Sequence, residues 1–267
     1  MFRAVRTPAL LGALLVSCTA SIPDDEAGEV TALAVDSTDA EWLPAGLGAI
    51  VFSSIGAETD PARAAESVDR IRAVLRPADC VGPRIPVTDA TIPTSRYHLT
   101  KCEAENLDAI SGDFDFGFET TPSGALSLHL HSAELVSTVA TEEVTFTLTR
   151  EATIGTTRLL KWDGSVKGTT AAGRAIDRQI DITAKTTVTE SCPELNGSSI
   201  GKMGARDLFV EVKDVERCKQ ACPRKGRLVI TLSNPNAGYQ LTYDEDGVGL
   251  LEGGDRERDV NLPCERR

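Results

Sequence analysis

Asp113, Asp115, His129 and His131 are the residues of this chain whose types and spacing come nearest to a reactive cluster. Phe114, Phe116 and Phe118 share a face opposite Asp113 and Asp115. Leu126, Leu128 and Leu130 do the same beside the two histidines, the period-two signature of half-buried strands. Between the runs, Thr121-Pro122-Ser123-Gly124 has proline second and glycine fourth, as a type I turn with a following bulge prefers. If Thr121 pairs with Ala125, Phe118 faces Leu128 and Phe116 faces Leu130, and the apolar face sets the register. Asp115 then lies opposite His131 on the outer face, with His129 and Asp113 close by. Asp115, His129 and His131 could thus ligate a divalent transition metal. The same geometry also describes a solvent-facing Asp–His cross-strand pair. An exposed strand face lacks the outer hydrogen bonds that hold metal ligands in place, so we expect the pair, with no metal and no cofactor.

Other chemistry is sparse. Asp244-Glu245-Asp246-Gly247 is flanked by tyrosines and strand patterns rather than helices, so it reads as a hairpin turn and not a calcium loop. Gly197-Ser198-Ser199-Ile200-Gly201-Lys202 is one residue short of a phosphate loop and lacks the following hydroxyl residue. His98, His129 and His131 are the only histidines, and no serine sits in a Gly-x-Ser-x-Gly elbow. Acidic residues abound, but nothing marks a catalytic pair. The expectation is a non-enzyme. A net charge of −12 argues against nucleic acid as a partner. Aromatic residues, at 4%, are too few to suggest sugar-binding platforms.

The elements that must position these residues begin beyond an unusual amino terminus. Arg3 and Arg6 precede an apolar run, Ala9 to Val16, that is too short to span a bilayer and ends in Leu15-Val16-Ser17-Cys18. This pattern resembles the lipobox of bacterial lipoproteins. The resemblance implies cleavage after Ser17, acylation of Cys18 and a membrane anchor through that lipid. Thr19 is not the aspartate of the inner-membrane retention rule, so the same resemblance favours an outer-membrane location. With Cys18 acylated, Cys80, Cys102, Cys192, Cys218, Cys222 and Cys264 remain, an even number suited to disulfides outside the cytoplasm. We expect Cys80 to pair with Cys102, and Cys264 with Cys218 or Cys222, leaving the other for Cys192.

Residues 18–41 are polar and acidic, with Asp24, Asp25, Glu26 and Glu29, and read as a flexible tether. The single folded domain is expected over 42–267, after a signal peptide over 1–17. One amphipathic helix is expected over 61–76, with a Thr59 or Asp60 cap, Pro61 at the first position, and Ala64, Val68, Ile71 and Leu75 inward. From Arg96 onward the period is two. Asp163-Gly164, Asn196-Gly197 and Asp246-Gly247 read as hairpin turns. The fold class is mainly β: an antiparallel meander forming a curved sheet or sandwich, with the helix packed at one side. The functional expectation is an envelope lipoprotein that is structural or binds an envelope partner. The alternative is a carrier whose cavity for an apolar ligand is lined by Phe114, Phe116, Phe118, Leu126, Leu128 and Leu130.

Overall fold

Alternation of apolar and polar residues carries the chain into strands, and short turns keep successive strands adjacent. The computed structural model describes residues 20–104, 107–150, 157–187, 194–216, 223–233, 236–244 and 248–262. Beginning at β2 (Ile85–Pro86), the strands are β3 (Thr94–Ala104), β4 (Leu107–Thr120), β5 (Leu126–Ser137), β6 (Ala140–Arg150), β7 (Thr157–Thr170) and β8 (Ala175–Thr187). They continue as β9 (Glu194–Met203), β10 (Arg206–Glu216), β11 (Lys225–Ser233), β12 (Asn236–Tyr243), β13 (Val248–Gly253) and β14 (Arg256–Asn261). Each is antiparallel to the next in one curved sheet that does not close on itself. A short β1 (Ala20–Ser21) lies parallel on the outer edge of β14. The curved-sheet expectation holds, and no second sheet makes a sandwich among the described residues.

Glycine lets the sheet bend so tightly. Gly164 and Gly168 both sit inside β7, where a Cβ would stand 2.2 Å from the Thr145 carbonyl oxygen and 2.1 Å from that of Thr141. Asp163-Gly164 is therefore no turn: β7 runs straight through it to a turn where Gly173 takes φ +79. Asn196-Gly197 likewise lies within β9, where Gly197 packs against the backbone of Ile182. At both sites the absent side chain serves close strand approach rather than chain reversal. The Asp246-Gly247 turn lies outside the described residues.

The largest departure is at the amino end. The expected tether is, from Asp24, part of α1 (Asp24–Ile55), which lies against the inner face of the sheet. Its middle is buried all round, with Leu43, Leu47 and Val51 at most 3% exposed. Gly48 lies so close to β6 that a Cβ would fall 2.4 Å from Leu148. Trp42 meets Trp162 edge-to-face, with ring centroids 6.5 Å apart. The folded part thus begins by Ala20 rather than at Trp42. Four acidic residues of α1 are paired across the fold, Glu26 to Arg256 and Tyr239, Glu29 to Arg206, Asp36 to Arg174 and Asp24 to Arg258, while Asp24, Asp25 and Glu29 stay exposed to water. These partners lie far downstream, so the local composition gives no sign of them.

The expected amphipathic helix is present as α2 (Pro61–Ser67), continued by a 3₁₀ segment (Val68–Ala73). The Asp60 side chain caps it by accepting from the Arg63 amide at 2.9 Å. Ala64, Val68, Ile71 and Leu75 are all fully buried. Ser95 on β3 donates to the Ala65 carbonyl at 3.0 Å, fastening this helix to the sheet.

Candidate functional site

The first hairpin has the register that its apolar face dictates. Phe116 pairs with Leu130, Phe118 with Leu128, and Asp115 with His131. The Thr121 amide donates to the Ala125 carbonyl at 2.8 Å, and Gly124 closes the turn at φ +84.

The outer face does not assemble the metal cluster that Asp115, His129 and His131 suggested. Asp115 accepts from two guanidinium nitrogens of Arg96, Nε at 2.6 Å and Nη2 at 2.7 Å. His129 turns to Glu119 at 2.7 Å, and His98 takes Asp113 at 2.8 Å. His131 is 3.2 Å from both the Val144 carbonyl and the Thr145 hydroxyl. Among the described residues no three His, Cys, Asp or Glu side chains gather at one point. Register alone put Asp115 opposite His131. The stronger bidentate pair with Arg96 on β3 decides where its carboxylate goes.

The six apolar residues proposed to line a ligand cavity are core. Phe114, Phe116, Phe118, Leu128 and Leu130 have no exposure, and Leu126 has 2%. Helices α1 and α2 pack against this part of the sheet, Phe114 stacks on Phe116, and Tyr97 meets Phe116 at a tilt. The face is filled rather than hollow. An interior cavity does exist elsewhere, between Trp42 of α1 and Trp162, Ile182 and Val212 of the sheet. It measures about 20 Å³, against the several hundred Å³ of a typical ligand pocket.

Cys80 and Cys102 form the expected disulfide, which ties the chain after α2 to β3. Cys18, Cys192, Cys218, Cys222 and Cys264 lie outside the described residues. No helix among those described is long and apolar enough to cross a membrane.

Sequence reading passed over two buried charges. Glu142 and Arg178 are 1% and 0% exposed on the inner face of β6 and β8. The Arg178 guanidinium donates to the Leu208 carbonyl and the Ser199 hydroxyl. Arg178 occupies an inward position of the Ile176–Ile180–Ile182 face, and that interruption was the available signal.

The sequence also gave no sign of the ionic row along α1. At Glu26 the Arg256 guanidinium and the Tyr239 hydroxyl hold the carboxyl below its ordinary range. Burial, with the Glu26 contact added, raises the Tyr239 phenol. Beside this row, α1 and the outer edge of β14 enclose a groove of about 660 Å³ lined by Gly28, Thr31, Ala32, Asp259 and Asn261.

No protein-family model matches the chain, and neither the curated proteins nor the solved structures include a significant match. The chain is an open antiparallel meander wrapped on a largely buried helix.

Proposed function

We propose that the chain is an exported bacterial lipoprotein, anchored through acylated Cys18, whose folded part is a non-enzymatic binding or structural module of the envelope. The run ending in Leu15-Val16-Ser17-Cys18 carries this reading. The Cys80–Cys102 bridge supports it, because such a bridge persists in an oxidising compartment. The filled inner face favours a module that acts through its surface over one that encloses a lipid. Expression in a bacterial host with labelled fatty acid tests the anchor. The wild-type chain should take up label and sediment with membranes, and Cys18→Ala should do neither. An unlabelled, cytosolic wild-type chain that retains residues 1–17 would sink the reading.

A further inference from the structure

Among the described residues, the seam of the open sheet leaves part of one edge bare. β1 pairs with β14 only at Arg256 and Glu257. Pro23 then has no amide hydrogen to continue the pairing, and the chain turns away into α1. Beyond that point, among the described residues, no main-chain hydrogen bond reaches the outer edge of Arg258–Asn261. Four residues of strand present about 13 Å of unpaired edge. An open edge of this kind is a template for another strand.

The opposite wall of the groove is built to leave room. Gly28 sits inside α1 at a cost of about 1 kcal/mol relative to alanine, yet a Cβ there would meet nothing within 4 Å. No neighbour among the described residues demands this glycine, and a side chain there would project into open space between them. Thr31 lines the same groove, is only 4% exposed, and its hydroxyl has no hydrogen-bond partner. Thr38, one stretch further along the same helix, shows the usual arrangement: its hydroxyl donates back to the Ala34 and Val35 carbonyls. The unsatisfied hydroxyl lies just inside the groove wall, beside an unpaired strand edge.

Charge selects among strands. On β14, Arg256 and Arg258 face inward and are neutralised by Glu26 and Asp24, while Asp259 is exposed on the outer face and forms no ion pair among the described residues. A second copy pairing edge to edge across a two-fold axis keeps its faces in register. It would set arginine against arginine, or acid against acid, in a chain already at −12.

We propose that this groove binds an extended segment of a partner protein, added as a strand to the Arg258–Asn261 edge, with basic residues on its outer face and small residues toward Gly28 and Thr31. The surface exists with or without a lipid on Cys18, so the two proposals fail independently.

The test uses the full chain in detergent micelles and a fluorescein-labelled octapeptide alternating lysine and threonine. A glutamate–threonine octapeptide is the control. The lysine peptide should bind saturably by anisotropy and slow amide exchange at Arg258–Asn261 by about tenfold or more. Gly28→Leu, which leaves charge unchanged, should weaken binding by about tenfold or more with the melting transition retained. Asp259→Lys should reverse the preference between the two peptides, and it serves also if Gly28→Leu does not fold. Absence of saturation, binding without protection of that edge, or equal binding by Gly28→Leu would overturn the proposal. A dimer of the chain that protects the same amides without peptide would overturn it too, making the occupant a second copy.

Discussion

The Glu26 carboxylate stands 2.7 Å from the Arg256 guanidinium, joining the first turn of α1 to the last strand across a sequence separation of 230 residues. The contact locks the helix against the sheet where the meander ends. Because Arg256 and Tyr239 hold the Glu26 carboxyl below its ordinary value of 4.5, the bond contributes full stability above that value. It is lost as pH falls through the lowered one. Glu26→Gln should lower the melting temperature at neutral pH by about 2–4 °C. In a pH series the difference from wild type should shrink toward zero on the acid side. A constant difference at every pH would show that packing, not charge, is lost.

Gly164 and Gly28 make opposite predictions for the same substitution. Gly164→Ala forces a methyl group onto the Thr145 carbonyl oxygen and should cost about 2–4 kcal/mol in urea unfolding. Gly28→Ala has open space and a helical backbone, and should stabilise by about 0.5–1 kcal/mol. If Asp163-Gly164 were a hairpin turn, Gly164→Ala would cost far less.

The Cys80–Cys102 bridge spans 22 residues, for which loop closure predicts about 3 kcal/mol. The double variant Cys80→Ala, Cys102→Ala should melt lower than the oxidised wild-type chain. Under reductant the difference in midpoint between wild type and variant should vanish, whatever the other cysteines contribute to both.

Asp115 on β4 and Arg96 on β3 form a bidentate pair on the outer face. This pairing holds the Arg96 guanidinium above its usual range, with the Asp115 hydrogen bond the main cause. Arg96→Met should cost about 0.5–1 kcal/mol and free Asp115 to approach His131. Ring nitrogen shifts of His131, recorded at one fixed pH, should then change as the carboxylate comes within reach. An unchanged ring spectrum would mean that strand geometry, not Arg96, keeps the two apart.

Where structure is local and periodic, the chain carries it openly. Alternation in Phe114–Phe118 and Leu126–Leu130, with Pro122 and Gly124 between, specifies a hairpin and its register, because a slip of one residue would expose every apolar side chain. Asp60, Pro61 and the spacing from Ala64 to Leu75 specify α2 in the same way. Tertiary structure alone decided the fate of residues 24–55. The middle of the helix, over 43–48, is buried on all sides and has no polar face, hence no period to read. Its acidic residues look like a tether until the sheet brings Arg174, Arg206, Arg256 and Arg258 to them. The dispersal of Asp115, His129 and His131 was settled likewise, since competing partners on β3, β4 and β6 sit next to them only once the meander is folded.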